Sequence, residues 1–198
     1  MNSTKTSSEK IKPAQKQLKK DKWTIKEFLF STIITLIIVL PFRVYVARPF
    51  IVNGSSMYPT FETGQYLIVD QITYNFSKPA RGDVIVFHFP KNTKRFFIKR
   101  IIGLPGESIE IDGEKVYITP TGGKKFLLEE PYIKFGKENH LFKELGETEY
   151  FVMGDNRADS LDSRVWGAVG KEYLVGRALF RLLPIQKSDR FLPGKFNF

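Results

Sequence analysis

Hydrophobic and polar positions divide the chain into three regions with different patterns. Residues 1–22 are polar and rich in Lys, Ser and Gln, a composition typical of a disordered tail. An apolar run, FLFSTIITLIIVLPF, fills positions 28–42. From residue 47 to residue 198, short β-branched and aromatic runs are separated by Gly, Pro and Asp, which is the pattern of β-strands. We therefore expect a tail, one apolar helix and a β-rich domain.

The third region predicts many short strands and little helix. Residues 108–118 alternate around Asp112-Gly113, a strong signal for a two-residue hairpin, and 170–174 is one short helical possibility. The segment at about 107–149, and above all its polar, Gly-rich part after residue 118, predicts a loop-rich insertion. The other runs expected to form strands are 50–52, 66–69, 84–89, 96–102, 150–153 and 176–183. The expected fold class is mainly β, with folded antiparallel sheets or a β-barrel-like domain.

The apolar region, with its flanks, covers residues 23–46 and comes close to the roughly 20 residues needed to cross a bilayer. A buried helix of a soluble domain is one alternative, but such a helix would carry a broader polar face. A cleaved signal peptide is another, although Tyr45 stands where a small residue should precede a cut after Ala47. We therefore predict one uncleaved N-terminal transmembrane helix.

The net charge of +10 is concentrated near the start of the chain. Residues 1–27 carry eight Lys against Glu9, Asp21 and Glu27, which is half of the excess. Basic segments beside a membrane span stay on the cytoplasmic side. We therefore expect a cytoplasmic tail, a single pass through the plasma membrane and a domain on the extracytoplasmic side. The expected partner of the basic tail is the lipid bilayer rather than nucleic acid.

Cysteine is absent, which excludes disulfides, thiolate metal sites and a Cys nucleophile. His88 and His140 are the two histidines, and neither belongs to a cluster with metal-ligand spacing. His88 lies in an alternating strand and is expected to be structural, while His140 lies in the polar insertion. No metal and no cofactor is expected, and a Ser-His-Asp triad has no support.

Lys99 is unusual because it lies inside the apolar run FFIKRII. Strand alternation places Lys99 and Arg100 on opposite faces, so at least one of these cations should contact apolar neighbours. Taken alone, an edge-strand lysine whose ammonium reaches solvent is the simpler interpretation. Burial would instead lower its pKa, and a shift to near 7 costs roughly 4–5 kcal/mol. Such a neutral amine is suited to act as a general base toward a hydroxyl.

Two polar segments carry the other chemical candidates. NGSSMYPT at 53–60 holds adjacent serines, and GDNRADSLDSRVWG at 154–167 is dense in Asp, Asn, Arg and Ser. Both compositions are common in solvated loops. In the second segment, however, Asp162 and Arg164 flank one serine and can form a local ion pair. Met153 and Trp166 should also anchor both of its ends in a core.

The apolar helix, the serine pair, the Lys99 run and the 154–167 segment follow one another in the order found in bacterial type I signal peptidases. The chain resembles this family of membrane-anchored serine proteases with a Ser–Lys dyad. The likeness runs from the apolar helix to residue 184 and includes RGDVIVF at 81–87 and FIKRIIGLPGE at 97–107. It implies that Ser56, directly before Met57, is the nucleophile and that Lys99 is its general base. It also implies that Ser160 hydrogen-bonds the base lysine, with Asp162 and Arg164 as a supporting ion pair.

The resemblance further implies a substrate, an exported preprotein whose signal peptide is cut after small residues at the first and third positions before the scissile bond. An extended peptide would pair with residues 50–53. The expected apolar walls of its binding site are Phe50, Val52, Met57, Phe61, Phe97 and Ile98. The chain departs from the family at Gly54, where a member carries a second serine for the oxyanion hole. It also departs at Ala158-Asp159, which replaces Asp-Asn, and at Gly64-Gln65, which replaces Gly-Asp.

Two other functions compete with this interpretation. One is a self-cleaving repressor protease with the same dyad, but the predicted anchor and the absence of room for a DNA-binding domain argue against it. The other is a non-catalytic, membrane-anchored β-domain that binds cell-envelope polymers by charge. Replacement of Ser56 by Ala would leave the function of such a domain intact.

Overall fold

The computed structural model describes residues 24–41, 47–183 and 189–190, and the chain divides into two compact units between Ile38 and Val39. The predicted tail over 1–22 lies outside the described residues. So do Trp23 and residues 42–46, which belong to the predicted membrane span.

The first helix, α1, covers Ile25–Pro41. Its start is capped reciprocally: the Thr24 N–H donates to Glu27 Oε2 (2.8 Å), and the Glu27 N–H donates to Thr24 Oγ1 (3.3 Å). The hydroxyls of Thr32 and Thr35 donate to carbonyl oxygens one turn earlier, while the apolar side chains of the helix are exposed. Within the described residues, no helix has both the length and the apolar character that a membrane span requires.

Twelve antiparallel strands form two sheets in the described residues after α1. The larger sheet has the order β1-β2-β11-β3-β4-β9-β10, and β12 pairs with β11 beside this path. Its strands are β1 (Ala47–Ile51), β2 (Tyr66–Asp70), β3 (Val84–Phe89), β4 (Asn92–Gly103), β9 (Glu149–Met153), β10 (Val169–Gly170), β11 (Leu174–Leu183) and β12 (Asp189–Arg190). Two short helices, α2 (Thr73–Phe76) and α3 (Ser163–Trp166), and a 3-10 turn at Lys171–Tyr173 join them. The mainly β prediction with antiparallel sheets is confirmed.

The second sheet lies where the sequence predicted a loop-rich insertion. Its order is β7-β6-β5-β8, from β5 (Ser108–Gly113), β6 (Lys115–Thr119), β7 (Phe126–Leu127) and β8 (Asn139–Glu144). The predicted hairpin is present, but Asp112 pairs with Lys115, so the two loop residues are Gly113 and Glu114. Gly113 takes a positive φ of 63°, which glycine adopts without strain. The strand β8 escaped prediction because its alternation is weak and mostly polar.

Neither sheet closes into a barrel in the described part of the chain, since β1 and β10 end the larger sheet without pairing with each other. The barrel-like alternative of the prediction is therefore wrong, and the folded-sheet alternative is right. One buried cluster joins the two sheets through Ile102, Phe151 and Met153 of the larger one and Ile109 and Ile118 of the smaller one. A second cluster lies beneath the Ser56 loop and comprises Val52, Met57, Phe61, Leu67, Val84 and Ala178.

Candidate active site

Strand β4 carries Lys99 into the interior of the domain. Its neighbour β3 pairs with it in register, with Ile85 opposite Lys99, and β9 places Met153 opposite Arg100. Lys99 is only 4% exposed and Arg100 8% exposed, so both adjacent cations are buried. The sequence allowed either a lysine whose ammonium reaches solvent or a buried lysine. The structure shows the buried lysine.

Ser56 lies in the loop that follows β1, and its backbone is held from two sides. Met57, the next residue, is buried in the cluster beneath the loop. Asn156 binds the serine pair through two contacts: its N–H donates to the Ser56 carbonyl (3.0 Å) and its side-chain amide donates to the Ser55 carbonyl (3.2 Å). Because a peptide unit is planar, fixing the Ser55 carbonyl also fixes the direction of the Ser56 N–H.

The amine of Lys99 and the hydroxyl of Ser56 meet directly. Lys99 Nζ lies 2.6 Å from Ser56 Oγ and also donates to the Ile98 carbonyl oxygen at 3.0 Å. Burial lowers the Lys99 pKa from 10.5 to about 8, because desolvation outweighs the attraction of the Asp162 and Asp155 carboxylates. About a tenth of this amine is therefore neutral at pH 7, far more than for an ordinary lysine, and the neutral form can accept the proton of the hydroxyl.

The expected ion pair between Asp162 and Arg164 is present. Arg164 Nε donates to Asp162 Oδ1 (2.8 Å) and Arg164 Nη2 donates to Oδ2 (2.9 Å). Burial alone would raise the pKa of the Asp162 carboxyl, but its bonds with Arg164 and with the Gly154 N–H hold that pKa below its ordinary value. The pair thus places a permanent negative charge near Lys99, partly offset by the guanidinium.

Ser160 packs against Gly154, close to the backbone of the nucleophile. A Cβ atom placed on Gly154 would lie 2.3 Å from Ser160 Oγ and 2.4 Å from the Ser56 carbonyl oxygen. The two hydrogen bonds that Lys99 makes among the described residues do not include Ser160. The structure therefore brings Ser160 beside the dyad without forming the hydrogen bond to the lysine that the resemblance implies.

A second buried ion pair supports the site and was missed from the sequence. Arg100 donates to both oxygens of Asp155, from Nε to Oδ1 (2.8 Å) and from Nη2 to Oδ2 (2.6 Å). Thr60 Oγ1 donates to the same carboxylate at 2.6 Å and so links the Ser56 loop to it. The adjacent cations on one predicted strand were a usable signal, because the cation that faces away from the serine also needs a buried partner.

The insertion contributes a third pair that sequence reasoning also missed. Glu130 accepts two hydrogen bonds from the Arg157 guanidinium, and both side chains are almost fully buried. Tyr132 donates to Glu130 (2.6 Å), and the Arg100 guanidinium lies 4.0 Å from the centre of its ring. Arg157 in turn donates to the Gly154 carbonyl (3.1 Å). No local pattern marks Glu130, because its partner lies 27 residues further along the chain.

A cleft of about 560 Å³ opens beside the dyad. Four of the six predicted substrate-binding residues line it, namely Phe50, Val52, Phe97 and Ile98. The other two, Met57 and Phe61, lie in the buried cluster beneath the loop, which also includes Val52, and they do not form the cleft wall. The sequence did not single out Arg95, Phe96, Asp159 and Leu161 as cleft residues.

The two histidines lie apart from this constellation. His88 Nδ1 is 2.6 Å from the Thr93 carbonyl oxygen, and its ring packs against Phe96. His140 is exposed and pairs with Asp112 on the smaller sheet.

A serine hydroxyl against a buried lysine amine, at the end of an apolar cleft, is the arrangement that a serine hydrolase with a lysine base requires. Comparison with known proteins agrees with this class. The family model described as "Signal peptidase, peptidase S26" matches residues 25–183. The chain is also similar to "Probable signal peptidase I-1" of Synechocystis sp., with 36% identity over 182 residues, which is 88% of this chain and 89% of the relative.

Two further relatives come from Bacillus. "Signal peptidase I" of Bacillus caldolyticus is 36% identical over 169 residues, covering 78% of this chain and 89% of the relative. "Signal peptidase I U" of Bacillus subtilis is 39% identical over 158 residues, covering 73% of this chain and 80% of the relative. The chain belongs to the signal peptidase family, peptidase S26. It is a serine endopeptidase that removes signal peptides.

Proposed function

We propose that Ser56 and Lys99 carry out the peptidase reaction as a dyad. The observation that supports this most directly is the 2.6 Å contact between Lys99 Nζ and Ser56 Oγ, in a place where burial lowers the pKa of the amine to about 8. No carboxylate within the described residues forms an ion pair with Lys99. The neutral amine is therefore available as a base.

The reaction is acyl transfer in two steps. Lys99 accepts the hydroxyl proton while Ser56 Oγ attacks the carbonyl carbon before the scissile bond, and the protonated lysine then donates to the leaving amine. The same amine next accepts a proton from water, which attacks the acyl carbon. The Ser56 Oγ bond to that carbon then breaks, the lysine returns the proton to Ser56 Oγ, and the new carboxyl group leaves. Ser56 N–H, whose direction Asn156 fixes through the Ser55 carbonyl, stabilises the oxyanion.

The substrate is a preprotein with small residues at the first and third positions before the cut. The rings of Phe50 and Phe96 meet at 5.4 Å, and Val52 and Ile98 belong to one packed cluster, so the cleft is walled by bulky apolar side chains. An extended peptide between these walls leaves room for side chains of alanine size. Strand β1 ends the larger sheet, which leaves backbone groups of this region free for pairing.

Asp162, Arg164 and Ser160 act by positioning the dyad. The buried ion pair fixes the segment that carries Ser160, and Ser160 in turn packs against Gly154 beside the Ser56 carbonyl. A side chain at this place limits the movement of the backbone beside Ser56.

The remaining part of the proposal is location. The apolar side chains along α1 are exposed, with Ile25 at 79% and Phe30 at 67%, and the hydroxyls of Thr32 and Thr35 donate to carbonyl oxygens within the helix. These properties support residues 23–46 as a single-pass anchor in the plasma membrane. With the basic tail in the cytoplasm, the β domain works on the extracytoplasmic side, where signal peptides emerge.

The test is cleavage of a preprotein by the detergent-solubilised full chain, followed by N-terminal sequencing of the product. We expect the wild type and Lys94→Ala, which changes an exposed lysine of the same strand, to cut at one site after a small residue. Ser56→Ala and Lys99→Ala should fold and leave the preprotein intact. Processing at the wild-type rate by either dyad variant would contradict the mechanism and would favour a non-catalytic role for these residues.

A further inference from the structure

Two chain segments wall the cleft, residues 50–56 and residues 95–99 of β4. They run side by side, and the contacts between them mark the two ends of the cleft. Phe50 contacts Phe96 toward one end, and Ser56 meets Lys99 toward the other. Arg95 precedes Phe96 on β4, so it belongs to the end away from the dyad. Asp159 belongs to the dyad end, because its carboxylate accepts a hydrogen bond from Ser55 Oγ. Among the described residues that line the cleft, Asp159 is the one with a carboxylate, and it contacts the residue next to the nucleophile.

The charge of this carboxylate is exposed and uncompensated. Asp159 has no ion-pair partner among the described residues, and its backbone N–H donates to Asn156 Oδ1 at 3.2 Å. Ser55 fixes the direction of the carboxylate without removing its charge. A substrate at the nucleophile therefore meets a fixed negative charge at the mouth of the cleft.

The direction of the bound peptide decides which substrate residues lie near Asp159. That direction rests on the proposed function. Residues before the cut fill the apolar part of the cleft, along Phe50 and Val52. In this proposal the scissile carbonyl lies at Ser56 Oγ, so the chain after the cut leaves the apolar part of the cleft beside Ser55, the residue that Asp159 contacts. Because an extended peptide advances about 3.3 Å per residue, the first two residues after the cut pass within about 10 Å of the carboxylate.

We propose that Asp159 is a specificity residue for the first two residues of the mature protein, favouring Lys or Arg there and disfavouring Asp or Glu. At about 7–10 Å across a partly aqueous gap, the difference between an attracted Lys and a repelled Glu corresponds to a change of about threefold to tenfold in rate. The effect depends on the charge of Asp159 and not on the hydrogen bond from Ser55, so the two contributions can be separated by substitution.

The experiment uses the detergent-solubilised full chain and two quenched peptides that differ only at the second residue after the cut, Lys in one and Glu in the other. We expect the wild type to cleave the Lys peptide with a kcat/KM about threefold to tenfold higher at low salt, and this ratio to fall as salt screens the charge. Asp159→Asn keeps an oxygen for the Ser55 bond and should bring the ratio close to one. Ser55→Ala removes the bond, keeps the charge and should retain the preference.

The control is Asp112→Asn, which removes an exposed carboxylate on β5 of the other sheet and should leave the ratio at the wild-type value. A ratio near one in the wild type, or a wild-type ratio in Asp159→Asn, would overturn the role of Asp159 while leaving the peptidase mechanism standing. If the wild type cleaves neither peptide, the proposed function fails and this inference fails with it.

Discussion

Lys99 Nζ lies 2.6 Å from Ser56 Oγ, although 43 positions separate the two residues along the chain. The contact forms because β4 carries the lysine into the interior while the buried cluster below Met57 holds the serine loop against it. Desolvation and the nearby charges together set the protonation state of the amine. The burial of Lys99 against Ser56 therefore affects both the cleavage rate and the stability of the fold.

The first consequence is a rate that rises with pH. Only the neutral amine accepts the serine proton, and its pKa is about 8, so kcat/KM should increase about tenfold per pH unit below 8 and level off above it. Asp162→Asn removes a carboxylate that raises the Lys99 pKa, so its profile should shift to lower pH at reduced activity. Asp112→Asn on the smaller sheet is the matched control and should not shift the midpoint. A flat profile from pH 6 to pH 9 would exclude a lysine base.

The second consequence is a cost in stability. The Lys99 pKa falls from 10.5 to about 8 on folding, so below pH 8 the folded state loses about 3 kcal/mol relative to an unperturbed lysine. Between pH 8 and pH 10.5 the unfolded chain binds more protons at this group, and stability rises with pH until the cost disappears. Lys99→Met should therefore raise the free energy of unfolding by up to about 3 kcal/mol at pH 7. The gain is reduced by the free energy of the hydrogen bonds that the substitution removes.

Denaturant unfolding of the wild type and Lys99→Met at several pH values checks this. The stability difference between the two proteins should shrink steadily from pH 8 to pH 10. A difference that does not change with pH would mean that the lysine has an ordinary pKa in the folded protein. Lys94→Met, at an exposed position of the same strand, should show no such trend.

The sequence was informative about the parts of the site that follow local rules. Strand alternation in FFIKRII indicated that at least one of two adjacent cations contacts apolar neighbours, and both are buried. The spacing of Asp162 and Arg164 indicated their ion pair, which is present. The contacts between distant segments were not visible in this way. Asp155 and Glu130 were missed because a carboxylate in a polar segment looks solvated until the fold brings an arginine to it. The β5–β6 hairpin of the insertion was predicted, but β7 and β8 were missed because these outer strands alternate weakly.

Gly154 offers a test of how closely the segments around Ser56 are packed. A Cβ atom there would lie 2.4 Å from the Ser56 carbonyl oxygen, a backbone atom that Asn156 holds in place, so the Ser56 loop must shift. We expect Gly154→Ala to lower kcat/KM by about a hundredfold, since a displacement of about 1 Å at a reacting group has effects of this size.

The matched control is Gly170→Ala. Its added Cβ meets the carboxylate of Glu172, an exposed and flexible side chain that can turn away, so activity should remain near that of the wild type. Both rates are measured with one peptide substrate at a fixed pH. Equal activity of the two variants would show that the Ser56 loop has freedom that its contacts do not suggest.

The insertion should matter for catalysis as well as for stability, through Glu130 and Arg157. Glu130→Leu leaves the buried guanidinium of Arg157 without its partner and should cost about 3–5 kcal/mol in unfolding free energy. Glu110→Leu, which breaks the exposed pair with Lys125, should cost at most about 1 kcal/mol. The double variant Glu130→Leu with Arg157→Met removes both buried charges and should recover most of the stability.

Activity should not recover with stability in that double variant. The Arg157 side chain donates to the Gly154 carbonyl, so its replacement loosens the segment beside Ser56 even in a stable protein. The hydrogen bond from Arg164 to the backbone carbonyl of residue 157 remains in this variant. We expect kcat/KM to stay at least about tenfold below the wild type, measured beside urea unfolding on the same preparation. Full activity in the stable double variant would limit the role of the pair to folding, because the site would then keep its geometry without it.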